Sequence, residues 1–306
     1  MSQVEIVEVG PRDGLQNEER TLSLDHRFQL IQHLAASGLK RIEVGAFVSP
    51  QWVPQMVGSK ELIERLEIAR KTFPKDVRFS ALVPNVRGMT DALATPIREV
   101  AIFGACSESF SRKNINCTIE ESLERFRQVT ALAKQNKIKV RGYLSVAFGC
   151  PYEGKVDEKR VISLVEAYLA LGVYEVSIGD TIGVANPKQV RSLLSKLKRK
   201  VPMKKIALHM HDTRGTALAN VLAGLDLGVR VFDTSFGGLG GCPYAQGASG
   251  NLATEDLIYM LNGMGLKTGV NLGNLLSFMP TIEREVGRPM PSRVSAAGIP
   301  KLFPLK

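Results

Sequence analysis

His209 and His211 flank Met210 at the end of the apolar run Ile206, Ala207, Leu208. In a β-strand, side chains alternate between the two faces, so this spacing turns both imidazoles to one side, close enough to share a divalent cation. Half of the chain's four histidines sit in this tripeptide. Two ligands do not make a metal site, and the same spacing also suits a pair of satisfied core or surface histidines. The choice turns on which other ligands converge on the pair.

Other segments carry polar residues with chemical potential. Gly10-Pro11-Arg12-Asp13-Gly14-Leu15-Gln16 sets a permanent cation beside a carboxylate in a turn constrained by glycine and proline, and Asp13 offers an oxygen ligand to the two imidazoles. Glu43 interrupts the apolar run Arg41 to Ala46, either as a site acid or as the buried partner of a structural arginine. Arg141, Tyr143 and Ser145 alternate along another strand-like run. Asp180, in Ser177-Ile178-Gly179-Asp180-Thr181, suits a site acid or the cap of the next turn. The segment Gly237 to Asn251 holds six glycines around a lone Cys242. Those glycines let backbone approach a ligand closely or let the segment close as a lid, and a thiol at its centre suits acid/base work.

These residues need elements to bring them together. Strand-like runs recur at intervals of roughly 30 to 40 residues, with helical patterns filling most of the gaps. The expected strands are Val4 to Val9, Arg41 to Ala46, Val77 to Val83, Glu99 to Phe103, Lys139 to Val146, Tyr174 to Ile178, Lys205 to His209 and Arg230 to Ser235. The expected helices include Asp25 to Ser37, Ser59 to Lys71, Thr118 to Gln135, Asp157 to Leu171, Pro187 to Lys200, Thr216 to Leu227 and Thr254 to Asn262. Thr118 with Glu121 forms a capping-box pattern, and Asn186-Pro187 reads as an N-cap followed by proline. About eight βα units on one chain favour an α/β fold, a closed (β/α)8 TIM barrel, over a doubly wound open sheet. The expectation is a single domain over 1–306, with the barrel at about 4–265 and a short C-terminal helical extension at about 266–306. In such a barrel the chemistry belongs at the carboxyl ends of the strands, where the residues named above fall.

Composition narrows the function classes. The net charge of +10 suits a small polyanionic substrate, nucleic acid or a membrane surface, and charge alone does not choose. Aromatic residues make up only 6% and do not interleave with the densest basic stretch, Lys196 to Lys205, so the stacking platform of a single-strand binder is missing and no nucleic-acid partner is expected. No apolar run approaches the roughly 18 residues of a membrane span, so no membrane partner is expected. Cys106, Cys117, Cys150 and Cys242 lack metal-knuckle spacing, which points to a reducing compartment. The chain opens directly on a strand-like run, and a cytoplasmic location is the expectation.

Several segments together carry a resemblance: G-P-R-D-G-L-Q-N-E (Gly10 to Glu18), F-V-S-P-Q-W-V-P-Q-M (Phe47 to Met56), K-N-I-N-C-T-I-E-E-S (Lys113 to Ser122), G-C-P-Y-E-G (Gly149 to Gly154), H-M-H-D-T (His209 to Thr213) and the glycine segment through Asn251. The chain resembles the 3-hydroxy-3-methylglutaryl-CoA (HMG-CoA) lyase family, almost continuously from Val4 to about Leu272. The R-D-G-x-Q and H-x-H motifs alone would indicate only the wider metallolyase superfamily, which includes 2-isopropylmalate and homocitrate synthases, pyruvate-carboxylase transferase domains and 4-hydroxy-2-oxovalerate aldolases. The cysteine segment is more selective for the lyase.

The resemblance implies a barrel that binds magnesium or manganese and cleaves HMG-CoA to acetyl-CoA and acetoacetate. It implies Asp13, His209, His211 and Asn251 as metal ligands, Arg12 as the cation that stabilises enolate charge, Cys242 as a catalytic thiol, and Glu43 and Asp180 as acids needed at the site. For an acyl-CoA substrate, Arg12, Gln16 and Tyr143 are the expected contacts near the reacting end. Lys113 and Asn114, expected in a loop after strand 4, are placed near the CoA phosphates. The base that takes the hydroxyl proton stays open among Asp180, Glu43 and Cys242. Two departures from the family pattern stand out: Val44-Gly45-Ala46, where hydroxyl residues are usual, and Phe236, where a smaller residue is usual. Rival readings are a lyase for a related 3-hydroxyacyl-CoA, a Claisen-type synthase, which would usually carry a further C-terminal region, and a basic non-catalytic binding protein. The added C-terminal helix offers a surface for a homodimer.

Overall fold

The computed structural model describes residues 3–241 and 250–300. Its centre is a barrel of parallel strands closed in sequence order: β1 (Glu5–Glu8), β2 (Arg41–Ala46), β3 (Arg78–Leu82), β4 (Glu99–Ala105), β5 (Lys139–Ser145), β6 (Glu175–Asp180), β7 (Ile206–Met210) and β8 (Val231–Thr234). Pairing of β8 with β1 closes the sheet. Helices follow the strands around the outside: α1 (Leu24–Ala36), α2 (Ser59–Ile68), α3 (Val86–Leu93), α4 (Glu108–Ile115), α5 (Ile119–Gln135), α6 (Glu158–Ala170), α7 (Pro187–Leu197), α8 (Ala217–Asp226) and α9 (Thr254–Gly263). This is the (β/α)8 TIM barrel, and α10 (Leu272–Leu276), α11 (Met279–Val286) and α12 (Arg293–Ala297) form its C-terminal helical extension.

The local reasons for these elements match the patterns in the chain. Thr118 and Glu121 form a reciprocal capping box at the start of α5, and Asn186 with Gln189 forms another ahead of Pro187 in α7. The outer apolar layer is one continuous core between sheet and helices, including Ile42, Val44, Leu82, Ile102, Leu144, Ile178, Leu208 and Phe232. No helix among the described residues is long and apolar enough to cross a membrane.

Three details differ from expectation. Lys113 and Asn114 lie on helix α4 rather than in a loop, because the segment begins at Ser107 in extended conformation and continues as eight helical residues. The short helix α3, absent from the expected helices, is amphipathic, buries Met89 and Ala92, and is capped by Asn85, which accepts from the Gly88 amide. The C-terminal extension also forms three short helices instead of one.

The inside of the barrel is charged through much of its length. Arg41 of β2 meets Glu175 of β6 at 2.9 Å, Arg141 of β5 meets the same Glu175 at 2.7 Å, and Arg141 then meets Asp233 of β8 at 2.7 Å. Every one of these side chains is buried. Alternation explains the alignment, since Glu175 and Ser177, like Arg141 and Tyr143, stand two apart on their strands and point the same way. A small apolar group, Val7, Val9, Ala207 and Val231, lies apart from the main core. The ion pairs end at the carboxyl-terminal mouth, beside His209.

Candidate metal centre at the barrel mouth

After β1 the chain makes a single wide turn, Gly10–Gly14, in which the amides of Arg12, Asp13 and Gly14 all donate to the Val9 carbonyl, the last across five residues. Pro11 starts the turn without needing a donor, and the wide turn sets Arg12 and Asp13 at the mouth. From the opposite side, His209 is near the end of β7 and His211 follows it in a bridge to Asn251. Asp13, His209 and His211 each bring a ligand atom within 4.8 Å of the others. The Nε2 atoms of His209 and His211 lie 3.2 Å apart, and His209 Nε2 is 3.9 Å from Asp13 Oδ2. Asn251 donates its amide to Asp13 Oδ2 at 3.0 Å and to the Leu239 carbonyl at 3.1 Å. Among the described residues, Asn251 Oδ1 is buried with no hydrogen-bond partner.

This donor set fits a divalent cation. Two imidazole nitrogens and a carboxylate face one small volume, Asn251 lies against that carboxylate, and its own buried oxygen is costly without a donor unless something positive meets it. For His211 and Asp13 the electrostatics agree. Burial and the neighbouring His209 pull His211 down to about 3, so it stays neutral and ligand-competent. For Asp13, burial acts to raise its pKa, but the charges of Arg12 and His209 and the Asn251 hydrogen bond outweigh it and hold it ionised. His209 is likewise pulled down by burial and more than restored by Asp233 and Asp13, so its pKa is raised.

Arg12 is locked beside this cluster. Its Nε pairs with Glu43 Oε1, and its Nη1 reaches Asp13 Oδ1 at 2.6 Å. Glu43 accepts the Tyr143 hydroxyl through its other oxygen at 2.6 Å. A register shift in β2 between Glu43 and Gly45 accompanies this inward acid. Gln16 donates to Asp13 Oδ1 at 3.3 Å. Arg12, Asp13, Gln16, Tyr143, His209 and His211 line a cavity of about 700 Å³ that also reaches Lys113, Asn114 and Gly241.

The structure thus brings together Asp13, His209, His211, Asn251, Arg12, Glu43, Tyr143 and Gln16, with Lys113 and Asn114 farther along the cavity wall. Lys113 sets its ammonium 3.8 Å from the centre of the Tyr152 ring. Asp180 closes a turn: its two oxygens accept the amides of Val184 at 2.9 Å and Ala185 at 3.0 Å. Cys242 lies outside the described residues. Of the two departures from the family pattern, Gly45 backs onto α2, where a Cβ would meet Ser59 Oγ at 2.6 Å, and Phe236 is fully buried in the core. Neither lines the cavity.

One residue beside the centre has no local sequence signal. Asp233 is fully buried on β8, directly across the strand pair from His209, and its Oδ2 lies 3.4 Å from His209 Nδ1. Arg141 donates to both of its oxygens, at 2.7 and 3.2 Å, and the Ser177 hydroxyl donates at 2.6 Å. Strand register was the available clue, because β7 and β8 each show the alternation that puts these side chains inside.

A closed parallel barrel carrying Asp and two His beside a buried arginine at its carboxyl-terminal mouth defines a metal-binding barrel of the lyase class. The HMGL-like family model matches residues 3–282. The mitochondrial hydroxymethylglutaryl-CoA lyase of Homo sapiens is 49% identical over 294 residues, covering 96% of this chain and 89% of the relative. The crystal structure of hydroxymethylglutaryl-CoA lyase from Pseudomonas aeruginosa superposes with a TM-score of 0.91 at 46% identity, covering 96% of this chain and 97% of that one. An HMG-CoA lyase from Acinetobacter baumannii, solved in complex with coenzyme A and 3-methylmalate, gives 0.92 at 36% identity, covering 98% and 97%. The chain belongs to the HMG-CoA lyase family.

The relatives also correct one expectation. They are for the most part mitochondrial, the proteins of Homo sapiens, Mus musculus and Bos taurus among them, and this overturns the cytoplasmic reading. Core packing and metal ligation do not depend on which aqueous compartment surrounds a barrel, so composition and cysteine spacing carry no address.

Proposed function

We propose that Asp13, His209, His211 and Asn251 hold magnesium or manganese at the barrel mouth and that an acyl-CoA extends from there along the cavity toward Lys113 and Asn114. The chain is a carbon–carbon lyase that cleaves HMG-CoA to acetyl-CoA and acetoacetate. The observation that carries the metal reading is the convergence of Asp13, His209 and His211 within 4.8 Å, beside Arg12 and the orphaned Asn251 oxygen. The coenzyme A held by the Acinetobacter baumannii relative supports the acyl-CoA reading.

The reaction breaks the bond between a tertiary carbinol carbon and the carbon alpha to the thioester. The hydroxyl gives its proton to a base at the mouth, for which Asp180, Glu43 and Cys242 are the candidates, its oxygen becomes the ketone of acetoacetate, and the bonding electrons pass to the acetyl-CoA fragment as an enolate. When bound, the cation supplies Lewis acidity and a chelation point for the substrate's hydroxyl and carboxylate. Arg12 stabilises the thioester oxygen as negative charge gathers there. With Nε on Glu43 and Nη1 on Asp13, its Nη2 makes no hydrogen bond among the described residues and is the donor left for substrate. Glu43 and Tyr143 orient that guanidinium. Asp180 acts by holding the turn after β6. The thiol of Cys242 delivers the proton to the acetyl carbon, and the residue before it, Gly241, lines the cavity.

Incubation of the purified protein with HMG-CoA and magnesium tests this directly. Acetoacetate and acetyl-CoA are expected in equal amounts, lost with chelator and restored by magnesium or manganese. A folded preparation that forms no acetoacetate with any divalent ion would overturn the reading.

A further inference from the structure

We propose that Asp233 is a positioning residue for the cation site: it holds the proton of His209 on Nδ1, so that Nε2 presents a lone pair to the ion. The inference rests on the metal reading above and extends it into the barrel interior.

A neutral imidazole carries one proton, and the partner of one ring nitrogen decides which nitrogen keeps it. Nδ1 is buried and makes no hydrogen bond among the described residues, and Asp233 Oδ2, 3.4 Å away, is the acceptor placed to take its proton once the ring turns slightly toward it. On the other edge of the ring, Nε2 faces His211 Nε2 at 3.2 Å and Asp13 Oδ2 at 3.9 Å, the volume where the ligand atoms gather. A proton on Nε2 would occupy that volume. Asp233 has little freedom to do otherwise, since Arg141 donates to both of its oxygens and Ser177 to one. Arg141 is itself held by Glu175, which Arg41 also grips. The ion pairs inside the barrel therefore end on a metal ligand, and they make the ring's orientation a property of the rigid sheet rather than of the mouth loops.

Asp233→Asn is nearly isosteric and reverses this logic. With its amide oxygen kept toward the Arg141 fork, its NH2 faces His209 Nδ1, which must then accept and shift the proton to Nε2. Two readouts test the proposal, both separate from turnover. In the metal-free wild type, with histidines labelled with ¹⁵N and observed in alkaline buffer, His209 is expected as the Nδ1–H tautomer. An Nε2–H wild type overturns the proposal even if no variant folds. In calorimetric titration with manganese, Asp233→Asn is expected to bind 10- to 100-fold more weakly, the range typical of losing such a partner, with His209 switched to Nε2–H. A merely structural role would lower the metal-free melting temperature while leaving the tautomer and the manganese affinity unmoved, and affinity within twofold of wild type overturns the proposal. A wild type that binds no manganese would bring down the metal reading itself, a result distinct from a wild type and variant that bind alike.

Discussion

Arg12 is held by acids from two elements, Glu43 of β2 and Asp13 beside it in the turn after β1, and is 5% exposed. A guanidinium fixed in that way needs no reorganisation when charge appears on a thioester oxygen, which is why one donor can matter so much. Arg12→Gln is expected to lower kcat by about 10² to 10³-fold, or about 3 to 4 kcal/mol of barrier, with a much smaller change in manganese affinity. Steady-state kinetics beside calorimetry would check it, and kcat within threefold of wild type would remove Arg12 from the chemistry. Cys242 makes the opposite comparison, because it is proposed as a proton donor and not as a ligand. Cys242→Ser is expected to keep metal affinity and lose most turnover. Near-normal turnover at saturating substrate would exclude the thiol.

At the scale of elements, the turn Gly10–Gly14 is the piece on which the site depends most, because it carries Arg12 and Asp13 together. It packs backbone to backbone against the segment after β8: a Cβ on Gly14 would lie 2.7 Å from both Leu239 Cβ and Ser235 Oγ. Gly240 of that segment also backs onto the turn, where a Cβ would lie 3.2 Å from Gly14 Cα and 3.0 Å from Asn251 Nδ2, and Gly250 donates to the Gly240 carbonyl at 3.1 Å. Gly14→Ala must therefore push the turn away from its partner. We expect a stability loss of about 1 to 3 kcal/mol, the usual cost of overpacking, together with weaker manganese binding as Asp13 moves off the imidazoles. Chemical denaturation and metal titration on the same variant would reveal it, and unchanged binding would mean the turn is not what places Asp13.

Across the whole molecule, the buried charges make stability depend on pH in opposing ways. Burial raises Glu8 to about 7 and Glu255 to about 8, against an ordinary value of 4.5. Each binds its proton more tightly when folded, so the stabilisation it gives is complete below about pH 4.5 and is lost as the pH climbs through 7 to 8. Asp233 and Glu175 behave in reverse: burial alone would raise them, but Arg141 holds both low, so their contribution is present above the ordinary carboxylate range and lost in acid. Glu255 accepts the Gly237 amide at 2.9 Å, and Gln can replace that acceptor without ionising. Relative to wild type, Glu255→Gln is thus expected to gain melting temperature as pH rises from about 4.5 to about 8. A difference that stays flat across this range would show that Glu255 folds already ionised.

What could be read in the chain was whatever local order controls. Apolar alternation and helical periodicity marked every barrel strand, because neighbouring residues decide which face a side chain takes. Short motifs likewise exposed Arg12, Asp13, His209, His211 and Asn251, whose resemblance to a known lyase linked them before any distance was measured. The interior ion pairs were hidden: Arg141 and Asp233 are 92 positions apart and Arg41 and Glu175 are 134 apart, and nothing local says that two buried charges will meet. Glu43 and Asp180 each carried two readings in the sequence, a site acid or a structural partner. Tertiary structure separated them, turning one onto Arg12 and the other onto backbone amides, because the role of a buried carboxylate is set by the donors that closure of the barrel brings to it.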